Sequence, residues 1–402
     1  MKTTATRLKQ IAARIKTRYL DEPRLPAPAQ RQLLLDRAGL SDLDPGPEAV
    51  AAAGIAWLKR SQDQSLHRDG GSARDFSLLK GWASAYPETS GYIVPTLIDY
   101  ADRTHDPALA DRARRMLDWL VSIQFPEGGF QGGKIDADPR VPVTFNTGQI
   151  LIGLAAGVRK FGEAYQEPMR KAAAWLRDSQ DADGCWRKHP TPFAAPGEKA
   201  YETHVSWGLF EAARLAPDQG YGEAGLRQVR WALTQQRDNG WFASNCLSSP
   251  EQPLTHTIGY ALRGVIEAYR YSGEADLLAA ARKTADALLR TLAADGRIAG
   301  QLDCDWKGTV DWVCLTGSVQ IAACWFLLHA ITGNAAYLDA ARRANRYVRR
   351  TVHISGDPDI VGGVRGAFPV DGDYGRFEYL NWAAKFCVDA QLMELDCPAA
   401  AP

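Results

Sequence analysis

The chain has 402 residues, 46% of them hydrophobic, with 47 basic and 47 acidic side chains. Zero net charge gives no support to binding of nucleic acid or an anionic membrane, and no transmembrane helix is expected, since no run of about 18 apolar residues is free of charge. Seven scattered cysteines, an odd number in a long chain, point to a reducing cytoplasm rather than a disulfide framework.

The first 20 residues, MKTTATRLKQIAARIKTRYL, are basic but lack the apolar core and cleavage site of a secretory signal. Leu8, Ile11 and Ile15 have helical spacing, with Lys9, Arg14, Lys16 and Arg18 around them. Residues 1–46 are therefore expected to form an N-terminal helical extension that caps the body. The alternative is a helix lying on a membrane surface. The body spans 47–396, and 397–402 form a tail.

Within the body one segment recurs six times: AWLKRSQ, DWLVSIQ, AWLRDSQ, RWALTQQ, DALLRTL and RYVRRTV. Its aligned positions are Trp57, Trp119, Trp175, Trp231, Leu288 and Val348, with steps of 62, 56, 56, 57 and 60 residues by subtraction. Such a period holds two helices and two connections, and repeats of this kind define an architecture. Each hairpin needs its neighbours to cover its apolar face, so the chain reads as one all-α body rather than several domains. Between these segments lies a second helix set: SGYIVPTLIDYA, NTGQILIGLAAGV, THVSWGLFEAARL, HTIGYALRGVIEAY, TGSVQIAACWFLLHAI and NWAAKFCVDAQLM. Being apolar all round, these should form a buried inner wall. The Trp-bearing helices should lie outside, with Trp57, Trp119, Trp175 and Trp231 in the core.

Links from inner to outer helices are short (THDPAL, GEAYQEP, TGNAAY), whereas those from outer to inner run roughly 18 to 28 residues, well beyond the usual few. Alternation then points every inner helix the same way and gathers their N-termini at one mouth, where the long loops concentrate function. A Thr or Asn recurs there (Thr89, Thr147, Thr203, Thr257, Thr316, Asn381) and reads as a helix N-cap.

The segment KAAAWLRDSQDADGCW, Lys171 to Trp186, resembles the QW motif of squalene and terpene cyclases and their protein-prenyltransferase relatives, with DWLVSIQFPEGGF a weaker copy. The resemblance implies an α/α toroid in which the Gln ties a helix end to the next loop; it does not specify chemistry. The cyclase acid motif D-x-D-D is represented only by Asp303-Cys304-Asp305-Trp306. Asp311 and Cys314 miss the prenyltransferase zinc spacing, and the Cys-His pair of lanthionine cyclases is absent, so no metal is expected. HAITGNAAYLDAARRANRYV and YPETSGYIVPTLIDYA resemble the hairpins of six-hairpin glycosidases and their uronyl hydrolase, uronate lyase and sugar epimerase relatives. That likeness implies a carbohydrate enzyme without naming its reaction.

Candidate catalytic residues follow from the mouth. Glu88 opens the first inner helix, where the helix dipole favours a carboxylate and where an acid or base would also sit. Glu202 and His204 open the third and His256 the fourth, with Tyr260 one turn on. A lone His is usually structural; two at equivalent ends of adjacent helices suggest proton transfer. Asp303 and Asp305 lie on a long mouth loop, as turn formers or as paired carboxylates for glycoside hydrolysis. Tyr92, Asn146, Gln149, Trp241, Trp306 and Trp312 are candidate substrate contacts, the tryptophans by stacking on sugar rings. Trp82 and Trp186 share those loops.

The expectation is an α/α toroid of six hairpins holding a cytoplasmic carbohydrate enzyme. It would act on a glycan or uronate-containing oligosaccharide by hydrolysis, elimination or epimerisation, without a cofactor. The rivals are a terpene-cyclase-like enzyme with Asp303 or Asp305 as its acid, and a non-catalytic toroid that binds glycan or protein.

Overall fold

The computed structural model describes residues 22–397. The Leu8/Ile11/Ile15 stripe lies outside the described residues. Within them, α1 (Ala27–Ala38) precedes twelve helices that alternate outer and inner. The outer set is α2 (Pro47–Asp63), α4 (Pro107–Ile123), α6 (Gln166–Ser179), α8 (Tyr221–Leu233), α10 (Ala275–Leu289) and α12 (Ala335–Arg349). The inner set is α3 (Pro87–Thr104), α5 (Thr144–Phe161), α7 (Thr203–Leu215), α9 (Thr255–Ser272), α11 (Leu315–Thr332) and α13 (Asn381–Asp396).

Each inner helix packs against the next, and α13 returns to α3, so the inner wall is closed. Five hairpins are inner-then-outer pairs. The sixth pairs α13 with α2 across the two ends of the chain. The inner helices are buried on nearly all faces. In α11 every residue from Leu315 to Phe326 is buried, because neighbours, an outer helix and the lumen surround it. That helix is long and apolar enough to cross a membrane by length and composition, but 72% of it is buried inside the ring.

Close approach within the wall depends on glycine. A Cβ on Gly153 would sit 2.2 Å from the Gly91 carbonyl oxygen of the neighbouring helix. The repeated Gln of the outer helices joins successive hairpins, as the QW resemblance implies. Gln180 Nε2 donates to the Gly184 carbonyl in the loop that follows and to Ala224 of the next outer helix, at 2.8 and 2.9 Å. Gln62, Gln124 and Gln236 make the same kind of bridge to Arg112, Pro168 and Ala280. Gly184 has φ +94 and its backbone lies so near Arg227 that a Cβ would come within 2.5 Å of that carbonyl oxygen, hence glycine there.

The mouth loops span 64–86, 124–143, 180–202, 234–254, 290–314 and 350–380. The short strands lie on three of them: β1 (Asp75–Ser77), β2 (Gly81–Trp82), β3 (Val313–Cys314), β4 (Ala367–Phe368) and β5 (Glu378–Leu380). The sheet β2-β1-β5 ties the first loop to the last and closes the seam of the ring.

Two expectations need correcting. The recurring Thr residues do not cap the inner helices. Thr147 Oγ donates back to the Val143 carbonyl and accepts from Phe130 N–H, and Thr257 Oγ donates to Asn245 and Leu254 carbonyls. They sit inside the helix, where a hydroxyl reaches a preceding carbonyl rather than an orphan N–H. Trp175 is only partly buried, against the His189 ring at 4.7 Å, while Trp57, Trp119 and Trp231 are in the core.

Helix α1 packs over the last mouth loop. Its buried Asp36 pairs with buried Arg365 at 3.2 Å and accepts from Val370 N–H. Gln32 Oε1 accepts from Tyr379 OH and meets His353 Nε2, each at 2.9 Å.

Candidate active site

Because all inner helices run the same way, the N-terminal ends of four of them, α3, α5, α9 and α13, converge on one cavity of about 420 Å³. Glu88, Tyr92, Phe145, Asn146, His256, Tyr260 and Trp382 enter it from inner helices; Arg74, Tyr86, Phe193, Tyr201, Leu247 and Tyr374 enter from loops.

Glu88 Oε2 accepts from Asn146 Nδ2 at 2.9 Å. Burial raises its carboxyl to about 7, against the opposing pull of the Tyr86 hydroxyl and the Arg74 guanidinium. Arg74 is itself held by Asp75 and Glu378 and lies over the Trp382 ring. His256 Nδ1 lies 2.7 Å from Gln320 Oε1, and burial lowers its pKa to about 4 against that hydrogen bond. At neutral pH His256 is therefore uncharged while Glu88 occupies both protonation states. Tyr260 lies between two imidazoles, edge-on to His204 and tilted to His256, each 4.4 Å centroid to centroid, and its hydroxyl reaches that of Tyr92 at 3.5 Å. Tyr374 accepts from Trp382 Nε1 at 2.8 Å and faces His256.

Glu88, His256, Tyr260, Tyr92 and Asn146 thus share one cavity. The other candidates are elsewhere. His204 is one layer down, behind Tyr260, with Nδ1 2.6 Å from Gln149 Oε1. Its pKa is driven well below the usual value by burial and by the nearby charges of Arg263 and Lys385. Gln149 turns its Oε1 to that contact, its Nε2 is buried without a hydrogen-bond partner, and the residue is not at the cavity wall. Glu202 is fully buried toward Lys199 and Cys185, and burial raises its pKa to about 8.

Asp303 and Asp305 stand on an exposed turn away from the cavity, where Asp303 accepts the N–H groups of Asp305 and Lys307 at 3.0 and 2.9 Å. Trp241 and Trp306 pack edge-to-face on each other, and Trp312 is buried against Gly300 and Gly372; these three pin loops. Trp82 donates to Asp359 and Trp186 to the Leu176 carbonyl. Tyr86, Tyr374, Trp382 and Arg74 were not anticipated. Trp382 follows the helix-start Asn381 and obeys the same mouth logic, whereas Tyr374 and Arg74 come from loops whose course no periodicity reveals.

At the opposite end a second hollow, of about 340 Å³, is lined by Asp99, Asp102, Arg159, Lys160, Glu211 and Arg270 around Trp207. Of these charges, Lys160 pairs with Asp102, Arg159 with Glu211, and Arg270, alongside Arg263, with Glu267. Among the described residues no cluster of three His, Cys, Asp or Glu could hold a metal ion.

A closed ring of six helical hairpins with its cavity at the inner N-termini is an α/α toroid. The family described as "Squalene-hopene cyclase C-terminal domain" matches residues 97–266. A squalene–hopene cyclase of Zymomonas mobilis is 24% identical over 245 residues, which are 59% of this chain and 30% of that protein. The chain thus spans under a third of that relative. Among solved structures, an unsaturated glucuronyl hydrolase specific for heparin superposes with TM-score 0.70 at 14% identity, covering 87% of this chain and 97% of its own. D-mannose isomerase gives 0.69 at 11% identity, with 87% and 97% covered. Cellobiose 2-epimerase of Bacillus thermoamylovorans gives 0.66 at 12%, with 84% and 95% covered. At such identities these structures establish the shared fold.

Proposed function

We propose that this protein is a sugar-converting enzyme that moves a proton at a carbon beside a carbonyl or carboxyl group, by epimerisation, isomerisation or elimination. The observation that carries this is the pairing of Glu88, raised to about 7, with a neutral His256 in one aromatic-walled cavity. An acid and a base whose environments push them apart is the arrangement that proton transfer needs. Protonated Glu88 gives its proton to the substrate's carbonyl oxygen. The ring nitrogen of His256 not engaged by Gln320 accepts the carbon-bound proton, and the C–H electron pair becomes the C=C bond of an enol. The imidazolium then returns its proton: to the opposite face of the enol once that has turned about its C–C bond, which inverts the carbon; to the adjacent carbon, which isomerises; or to a departing β-substituent, which completes an elimination. Glu88 takes back a proton from oxygen in each case. Tyr86, Tyr260 and Trp382 offer ring faces to a sugar, and Asn146 and Tyr92 offer hydrogen bonds.

Glu88 is the single carboxyl at the cavity wall among the described residues, which weakens two-carboxylate hydrolysis. The aromatic lining and the match over residues 97–266 favour a hydrocarbon cyclase as the second reading. Protonating an alkene calls for a strong acid, however, and a carboxyl near 7 is a weak one, while Asp303 and Asp305 are remote. The neighbours' sugars suggest the test panel: mannose, cellobiose and unsaturated glucuronyl disaccharides. In D2O the enzyme should put deuterium on a sugar carbon or form the isomer, and Glu88→Gln should stop it. No conversion of any of these sugars, with release of terpenoid from prenyl diphosphates or squalene instead, would overturn the reading.

A further inference from the structure

Two histidines at the head of inner helices share one device. His204, second residue of α7, has Nδ1 against Gln149 Oε1 of α5; His256, second residue of α9, has Nδ1 against Gln320 Oε1 of α11. The contacts are 2.6 and 2.7 Å and all four side chains are buried. One glutamine comes from the helix before its histidine and one from the helix after. The two imidazoles thus bracket the ring of Tyr260.

Which imidazole nitrogen bears the proton is set by what the other atom meets. An amide oxygen accepts only, so Nδ1 must carry the hydrogen and Nε2 is left with its lone pair. Were the amide reversed, its NH2 would donate to Nδ1 and Nε2 would carry the hydrogen, giving a donor in place of a base. The orientation of two glutamines therefore decides whether the histidines accept or donate a proton.

We infer that Gln320 is a positioning residue that holds His256 in the Nδ1–H tautomer with Nε2 free to accept a proton, and that Gln149 does the same for His204. This rests on the proton-transfer reading for its consequence in turnover, though not for its geometry. It reassigns Gln149 from substrate contact to support. Neither pairing is readable along the chain, since the partners are 55 and 64 residues apart. Gln320 touches no cavity space, so its effect on chemistry runs through the imidazole alone.

The test is long-range proton–nitrogen NMR on full-length protein labelled with ¹⁵N-histidine. Seven histidines give few signals, and His256→Asn and His204→Asn identify two of them. Wild type is expected to show protonated Nδ1 and bare Nε2 at both. Gln320→Leu should move only His256 out of that tautomer, and Gln149→Leu only His204. Gln320→Glu, which keeps an acceptor oxygen and the side-chain length, should retain Nδ1–H and decides the matter if the leucine variant fails to fold. An Nε2–H signal for His256 in wild type, or an unchanged His256 tautomer in Gln320→Leu, overturns the inference. With a converted sugar in hand, Gln320→Leu should lower kcat about 10- to 100-fold, the usual cost of losing an outer supporting partner, with KM little changed and partial rescue by Gln320→Glu. If no sugar is converted, the proton-transfer reading fails while the NMR result stands by itself. If the tautomer is wrong but conversion depends on Glu88, the reverse holds.

Discussion

The two ends of the toroid treat ionisable groups in opposite ways. At the base, charge meets charge. Glu267, fully buried, accepts from Arg263 at 2.7 Å and from Arg270 at 2.9 Å; Arg159 pairs with Glu211 and Lys160 with Asp102. At the mouth, Glu88, His256 and His204 have neutral hydrogen-bond partners, an asparagine and two glutamines, while the Arg74 charge beside Glu88 is held by Asp75 and Glu378. A paired charge stays charged and serves the frame. A buried group with only neutral partners has its pKa displaced by desolvation and can exchange a proton near neutral pH. The helix direction accounts for part of the difference. Inner C-termini crowd the base with carbonyl oxygens, and Arg103, Arg159, Lys160, Arg214 and Arg270 in the last turns complement them.

The comparison is tested hardest at the base. Glu267→Ala leaves Arg263 buried without its partner and should destabilise by about 3–5 kcal/mol, measured by urea unfolding, with the mouth untouched. A loss under about 1 kcal/mol would mean the base charges are not structural. The converse holds at the mouth. Glu88→Gln keeps shape and the Asn146 neighbour, so stability at pH 6 should hardly change, while turnover of a converted sugar falls about 10²-fold or more, the size of a lost general acid. His256→Asn should match it. A variant that loses stability instead of turnover would place Glu88 in the frame.

The same division explains what could be read along the chain. The ring was legible because a repeat writes itself six times: the outer Trp and Gln, the turn glycines and the apolar inner helices fix hairpins, order and mouth. The inner-helix heads were legible in outline, since alternation alone sends Glu88, His256 and Tyr260 to one end. Their partners were not. Asn146 meets Glu88 across 58 residues, and Gln320 meets His256 across 64, by helix rotations that no pattern specifies. The loops were misread in a consistent direction. Trp241, Trp306 and Trp312 are large apolar groups on connections of over twenty residues, and covering their own loop cores wins over facing a ligand. Asp303 and Asp305 follow the ordinary habit of aspartate in a turn.

The frame itself offers a graded test. Trp57 is fully buried, with its indole N–H on the Asp359 carbonyl, and Trp57→Ala should cost about 3–5 kcal/mol. Trp175 is the equivalent position in the best copy of the repeat, yet it is only partly buried, beside His189. Trp175→Ala should therefore cost less, about 2 kcal/mol, because fewer contacts are lost and water already reaches the site. Equal losses at the two positions would show that the outer tryptophans act through the repeat rather than through burial.

Glu202 sharpens the comparison most finely, because it stands at an inner-helix head and is buried like Glu88 but does not line the cavity. It is buried, its Oε2 has no hydrogen-bond partner, and burial raises its pKa to about 8, yet it does not line the cavity. A carboxyl whose folded pKa lies above its unfolded value binds its proton more tightly in the folded state. Its contribution is fully present below the unfolded value, near 4.5, and is lost as pH rises through the folded one, near 8. Wild-type Tm should therefore decline between pH 5 and pH 9, with Glu88 contributing through about 7 in the same direction. Glu202→Gln, which cannot ionise, should flatten part of that decline and gain a few degrees on wild type at pH 9, read by thermal melts at fixed ionic strength. Its turnover should stay within about twofold of wild type, since no proton passes through it. If Glu202→Gln instead lost turnover as Glu88→Gln does, a displaced pKa alone would mark chemistry in this fold, and position at the cavity wall would cease to be the criterion.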